Sequence, residues 1–531
     1  MATKMQTTQS LAVANSDGRI NVKPRAQEDV KNAVLSFLDT ATTATGRSTY
    51  YNSKEEQIEA LNAVHDAVFT TNRGLYAAML TLPGVNDLSV QVGIDKLLKD
   101  SFGHDESLIT SEQEHKVISH LAEQLTVPRL LKMFVKLRKN RVNNARSRKL
   151  ILNSILGSKN LAYWSVKYRK KLKQALTHAW GVATATFVRE TLSVTASRRT
   201  ARAKRELAKL IDKYVSSDNR LTQKEVYQCV SFILGGTIRR YTVPLLKQYV
   251  QAQSDLSKGS DLPREVLEGI RSVYHPRTDP AVVLELTKHT MTANDKLAVQ
   301  RSAKKAGVKV DLDPTKQDIV KLYVYALEMG MTREIRKALD EKAKKIANTY
   351  PAHYGHIGIV LDTSGSMSGS NQQKNRPMAI ALAMRDVLAC TATEDAFVAT
   401  TGGETDRYGM VHPSGETELA EALLEVLEQE PDVVYMITDG YENAPAGRVH
   451  ETIGRLREIG IETPIYQITP VMAAEAVGKK GAVRQLSSMV SPMPVSSPTA
   501  IGMGMVRAAI DNDLEVGLES LMGFARPLLE D

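Results

Sequence analysis

Cysteine is almost missing from this chain: two in 531 residues. Cys229 and Cys390 stand far apart in segments of different character, which excludes a disulfide framework and gives no metal-ligand spacing. Free cysteine is among the most buried residue types, so both are expected as buried, reduced thiols. Aromatic residues are scarce too, at 5% of the chain. No apolar run approaches the roughly 20 residues that cross a bilayer. The opening "MATKMQTTQSLAVANSDGR" lacks the apolar core of a secretory leader, so the expectation is a cytoplasmic protein with no membrane contact. A hydrophobic share of 42% suits a globular chain, and the length implies two or more domains.

Acidic residues nearly vanish from one stretch. Between Arg129 and Lys209 about twenty Lys and Arg meet only Glu190 and Glu206, in a chain of net charge +9. That bias exceeds what a solvated helical surface needs and points to a polyanionic partner. The bias reverses later, where Glu416, Glu418, Glu421, Glu425, Glu428, Glu430 and Asp432 fall together.

Strand-like alternation is rare before about residue 350. Residues 1–27 are polar and aperiodic and read as a loose arm. Over 28–350 the pattern is helical again and again: Leu61, Val64 and Val68 recur at turn spacing, Pro128 separates two helices, and Ile335, Leu339, Ala343 and Ile346 mark a late amphipathic one. "QSDLSKGSDLP", from Gln253 to Pro263, is the clearest internal loop. Many short helices with brief turns fit a stack of helix pairs. Over 355–480 the pattern changes to "HIGIVL", "AFVATT", "VVYMIT" and "PIYQIT" alternating with helical segments. These are buried strands joined by helical crossovers, a doubly wound α/β domain with a parallel sheet. Residues 481–531 read as a loop and a final helix.

In such sheets ligands gather beyond the carboxyl ends of the strands. There the chain carries "VLDTSGSMSGS", Val360 to Ser370. A hydrolase elbow needs a serine at the centre of G-x-S-x-G, where "GSMSG" has Met367, and a helix starting straight after it, whereas the next helix opens near Pro377. Asp439 and His450 downstream do not repair that. A phosphate-cradling loop needs a lysine at the helix start, and none is there. A plain Ser/Gly loop with no ligand is the simplest alternative. Against it, "SGET" sets Thr417 before a helix and "MITDG" sets Asp439 at a strand end, both on the same sheet edge. Asp362, Ser364, Ser366, Thr417 and Asp439 offer carboxylate and hydroxyl oxygens with no His or Cys, a set that suits Mg²⁺ or another hard divalent cation. D-x-S-x-S with a later Thr and a later Asp resembles the metal-ion-dependent adhesion site of von Willebrand factor A domains. That resemblance implies binding, with a partner carboxylate completing the ion's shell, and no enzymatic turnover.

"TYYNSKEEQ" near Tyr50, "LAYWSVKYRKK" from Leu161, "LPREVLEGI" from Leu262 and "GHIGIVLDTSGSM" resemble, in that order, segments of the Ro autoantigen family, whose helical region is the TROVE domain. The resemblance implies a HEAT-like ring of helix pairs closed by the A domain and acting as a monomer. It implies binding of small structured noncoding RNA, the Y RNA class, on a basic outer surface. It also implies entry of misfolded RNA 3′ ends into a central hole, and an RNA-tethered exoribonuclease such as polynucleotide phosphorylase as partner. The family's RNA contacts map onto Lys167, Arg169, Lys170 and His178.

The residues of "LAYWSVKYRKKLKQALTHAW" agree independently. As one helix, Leu161, Trp164, Tyr168, Leu172 and Ala179 share a side, with Lys167, Lys170, Lys171, Gln174 and His178 opposite. Trp164 then reads as packing. Lys132, Lys136, Arg138, Lys139, Arg141, Arg146, Arg148 and Lys149 extend the patch, as do Arg198, Arg199, Arg202, Lys204 and Arg205. With few aromatics interleaved, backbone and shape recognition should outweigh base stacking. The alternative is an adaptor whose metal site captures a protein such as a MoxR-type AAA+ ATPase.

Overall fold

The computed structural model describes residues 12–14, 20–22, 26–99, 108–216, 220–350, 354–403 and 405–530. Most of the expected amino-terminal arm lies outside them; Ala12–Ala14 and Ile20–Val22 pair as a short antiparallel hairpin. Among the described residues, eighteen α-helices precede the first strand of a five-stranded parallel sheet. The chain forms two compact units: 94–100 with 122–313, and 1–93 with 101–121 and 314–531. The compact units therefore cut across the linear division read from sequence, because the first helices and residues 314–350 pack with the α/β region.

The unit of 94–100 and 122–313 consists, among its described residues, of helices and their connecting turns, with no strand. Its helices pack in neighbouring pairs, Ala145–Leu156 and Val127–Lys139 each against Arg169–Trp180, and Val182–Ser193 against Gln223–Leu234. Pro128 sits in the first turn of its helix, where a missing N–H costs nothing. One helix expected over 161–180 is two. Tyr168, at φ −120° and ψ 20°, separates Leu161–Lys167 from Arg169–Trp180. The break changes which cations share a face.

In the other unit the sheet comprises β1 (Tyr354–Leu361), β2 (Ala392–Thr400), β3 (Val433–Ile437), β4 (Ile465–Thr469) and β5 (Pro492–Pro494). Their order is 2-1-3-4-5, all parallel, with connections of Rossmann and A-domain type. The apolar run of β1 divides between two cores. Ile357, Ile359 and Leu361 meet the helices Ile319–Met329, Arg333–Ala347 and Arg376–Ala389, and Val360 meets Leu419–Leu427 and Arg448–Glu458. Gly358 lets the Leu419–Leu427 helix approach, since a Cβ there would lie 2.2 Å from Val426 Cγ1. β5 and the helices Ile501–Asn512 and Leu514–Glu530 occupy the segment read as a loop and one helix. A three-residue strand with two prolines carries no alternation to read.

The carboxyl-terminal segment is fastened by a buried ion pair. Arg507 Nε donates to Asp39 Oδ1 at 2.6 Å, both residues being at most 1% exposed. Asp39 Oδ2 accepts from Ala482 N at 2.7 Å, and Arg507 Nη2 donates to the Lys480 carbonyl at 2.9 Å. Burial pushes the Asp39 carboxyl up, and the adjacent guanidinium opposes that shift. Breaking one partner strands the other charge, so Asp39→Ala should cost about 3–5 kcal/mol in urea unfolding. Asp39→Leu combined with Arg507→Met should cost less than either change alone; a double variant as unstable as the sum of the two would contradict this account.

Candidate functional site

Strand register brings the acidic and hydroxyl residues together. Leu361 pairs with Ile437 and with Thr400, and Ile437 with Ile468, so the carboxyl ends of four strands lie level. Asp362 N donates to the Ile437 carbonyl at 3.0 Å, which seats Asp362 beside Thr438 and Asp439. After β1 the chain enters a 3₁₀ turn, Gly365–Ser368, and the next helix starts at Arg376 behind Asn375 with Pro377 in its first turn, as the spacing predicts. The 414–417 loop is tied alongside, with Ser414 N donating to the Thr363 carbonyl (2.8 Å) and Gly365 N to the Gly415 carbonyl (3.1 Å). Thr417 N donates to Asn443 Oδ1 at 3.1 Å.

All five expected ligands are buried: Asp362, Ser364, Ser366, Thr417 and Asp439. Asp362 Oδ1 accepts from Ser364 N (2.9 Å) and Oδ2 from Thr438 Oγ1 (2.7 Å). The Ser364 and Ser366 hydroxyls are 3.1 Å apart. Asp439 Oδ1 accepts from Tyr441 N at 3.2 Å. Burial first, and then the neighbouring Asp362 charge, push Asp439 up to about 7; burial raises Asp362 as well. Two buried carboxylates lie within electrostatic reach of each other, and neither is salt-bridged to a cation among the described residues.

Among the described residues no three His, Cys, Asp or Glu group as metal ligands. A cation here would therefore take two carboxylates and hydroxyl oxygens. Two negative charges match a divalent ion, and an all-oxygen set matches a hard one. His450 Nδ1 is hydrogen-bonded to Ser487 Oγ at 2.9 Å, away from the 364–368 turn, so no Ser–His pair forms there.

Three residues absent from the expected set border this site. Tyr51 stacks on Tyr441 with ring centroids 3.5 Å apart and planes 18° apart. The Arg484 guanidinium lies 3.5 Å from the same Tyr441 centroid, and two neighbours that close must use opposite faces. Burial, then the Asp439 charge, push the Tyr51 phenol up. "TYYNSKEEQ" was visible in the sequence, but nothing in it announced a position beside Asp439.

The expected nucleic-acid residues separate into two groups. Lys167 donates to Tyr163 Oη at 3.2 Å and pairs with Glu265 at 3.7 Å. Arg169 Nε donates to the Phe232 carbonyl at 2.8 Å, its guanidinium 4.1 Å from the Phe232 ring centroid. His178 Nε2 meets the Val142 carbonyl at 2.8 Å, Lys136 pairs with Asp95 at 3.3 Å, and Arg146 is half-buried. Arg199 is spent on the carbonyls of Thr191, Leu192 and Val194. By contrast Lys132, Arg138, Lys139, Arg141, Arg148, Lys149, Lys170 and Lys171 are exposed, as are Arg198, Arg202, Lys204 and Arg205. Trp164 is buried, as its packing role requires.

A cleft in the helical unit joins cations to aromatics whose proximity the sequence does not signal. Arg148, Lys149, Lys209, Lys213, Trp180 and Tyr214 line it, and among the described residues no acidic one does. Lys213 Nζ lies 4.7 Å from the Tyr214 ring centroid. The Trp180 indole nitrogen is buried with no hydrogen-bond partner among the described residues. Neither a protein-family model nor a curated protein matches the chain.

Removing one of two mutually repelling buried carboxylates should relax the ion-free site. Asp439→Asn is expected to raise the thermal midpoint in chelator, by the equivalent of about 1 kcal/mol, and to abolish any rise produced by added Mg²⁺. A variant less stable than the parent in chelator would show that repulsion is not what the site stores.

Proposed function

We propose that the protein is a non-enzymatic RNA-binding scaffold of the Ro type, with cations of the helical unit gripping the phosphates of small structured RNA. One observation carries the reading: fourteen exposed Lys and Arg among the described residues of the 132–205 stretch, whose only acid is Glu190. Like charges held this densely repel, and a polyanion with its released counterions relieves that. The order of the Ro-like segments beside the D-x-S-x-S turn supports the same reading. So does the Trp180 and Tyr214 cleft, which offers aromatic faces to an unpaired base. The ring and its central hole, the misfolded-RNA substrate and the tethered exoribonuclease belong to this proposal.

On this reading Asp362, Ser364, Ser366, Thr417 and Asp439 hold Mg²⁺ or a similar ion, which supplies charge neutralisation at the sheet edge and no catalysis. An ion bound at a hundred times its Kd would add about 2.7 kcal/mol of stability. The adaptor alternative requires the ion to face an incoming carboxylate, and Tyr51 stands on that side.

The test uses the exposed cations. Lys167 and Arg169 have internal partners, so reversing them would disturb packing and blur the result. Lys170→Glu with Lys171→Glu should weaken binding of a small stem-loop RNA about tenfold or more at moderate salt. It should also flatten the slope of log K against log salt by about 0.7 to 0.9 for each phosphate no longer neutralised. Unchanged affinity and slope would defeat the RNA reading, as would parent protein whose RNA binding ignores salt between roughly 50 and 200 mM.

A further inference from the structure

The sheet-edge site is roofed by its own chain. Residues 46–52, between the helices Gln27–Thr43 and Lys54–Thr71, are fastened to the segments around the site at both ends. Near the start, Ser370 Oγ and Gln373 Nε2 both donate to the Ser48 carbonyl, at 2.7 and 3.0 Å, and Arg47 donates to the Gln372 carbonyl at 3.1 Å. At the other end Asn52 Nδ2 donates to Glu475 Oε2, and Asn52 Oδ1 accepts from Ala474 N, both at 3.0 Å. Glu475 is shared, because Tyr441 Oη and Arg484 Nε donate to its Oε1 at 2.6 and 2.7 Å. The Tyr51, Tyr441 and Arg484 stack is thus tied to the same acid as the strap.

Beneath the strap lies a small cavity bordered by Thr45, Tyr51, Ser366, Asp439 and Arg376. Two of its polar groups are idle. Thr45 Oγ1 is buried without a hydrogen-bond partner among the described residues. Arg376 makes no salt bridge among them, and burial lowers its pKa. An adhesion site meant for another protein's carboxylate needs an open outer face; here that face carries a phenol whose ring is stacked on Tyr441, on a strap that Arg47, Ser48 and Asn52 fasten with at least five hydrogen bonds.

We propose that the outer coordination position of the ion is filled from within the chain, by the Tyr51 hydroxyl acting directly or through one water, so that the ion clasps residues 46–52 and accepts no carboxylate from another protein. This rests on the cation reading above and names the occupant that completes it. Tyr51 is the residue placed to do so, because its ring is fixed by Tyr441 and it already lies in the field of Asp439 and Asp362.

The experiment uses the full chain, with Mn²⁺ and Mg²⁺ as probes. Ion affinity is measured by calorimetry and Mn²⁺ spin resonance, and hydrogen exchange of the 46–52 amides is followed with and without saturating Mg²⁺. Tyr51→Phe keeps the stacked ring and removes only the hydroxyl. The expected results are an affinity about tenfold lower in Tyr51→Phe and, in the parent, exchange of the strap slowed about tenfold or more by the ion. Both must appear; an affinity indifferent to Tyr51→Phe, or strap exchange indifferent to Mg²⁺, overturns the proposal. Mg²⁺-dependent capture of a glutamate-containing peptide by the parent protein would overturn it too. The two levels fail differently. A parent chain that binds no ion removes the cation reading as well, whereas binding that is lost in Asp362→Ala but untouched in Tyr51→Phe removes only the clasp.

Discussion

The buried pair of Asp39 and Arg507 is the constraint on which the α/β unit's arrangement depends. Desolvating two charges is favourable only when their remaining hydrogen-bonding capacity is used, and here Ala482 N and the Lys480 carbonyl take up part of it. Space is as tight as charge: a Cβ at residue 481 would lie 2.0 Å from Asp39 Oδ2, and Gly481 adopts φ 130°. Three distant segments, the first long helix, the 480–482 turn and the Ile501–Asn512 helix, are thereby held in one geometry. Asp39 stands one turn before the end of its helix, so the same pair fixes the point from which residues 46–52 set out.

The two units use charge in opposite ways. In the α/β unit the buried ionised groups are mostly paired within it, as Asp39 with Arg507, Glu114 with Arg73 and Asp386 with Arg385. Asp386 is a clear case: burial alone would raise its carboxyl, but Arg385 and Arg336 hold it below the usual range, and Tyr323 donates to it. Asp362 and Asp439 are the exception, two buried acids hydrogen-bonded by hydroxyls and backbone N–H groups, with the Arg484 charge the smallest of the influences on Asp439. In the helical unit the imbalance is cationic and sits at the surface. The proposed ion and the proposed RNA would each supply the charge that the respective unit lacks.

Much of the fold could be read from periodicity, and the reason is physical. Strands buried on both faces leave continuous apolar runs such as "HIGIVL" and "VVYMI", and the helices between them carry their own stripe, so a parallel sheet with a level carboxyl edge followed. That edge is why Asp362, Ser364, Ser366, Thr417 and Asp439 could be grouped from the sequence alone. The basic patch was legible only as composition. Whether Lys167 faces solvent depends on a helix break at Tyr168 and on Glu265, nearly a hundred residues away, and neither leaves a local trace. His178 illustrates the same limit, its ring nitrogen meeting the backbone carbonyl of Val142. Tyr51 and Tyr441 illustrate the extreme: two tyrosines separated by almost four hundred residues share a stack that no spacing rule encodes.

The fifth strand, Pro492–Pro494, closes one margin of the sheet with two residues that lack an amide hydrogen. A foreign strand approaching that side would find acceptors but too few donors to build a ladder. The margin is therefore self-terminating in its chemistry, and the helices Gln27–Thr43 and Ile501–Asn512 packed against the buried strand cover it as well.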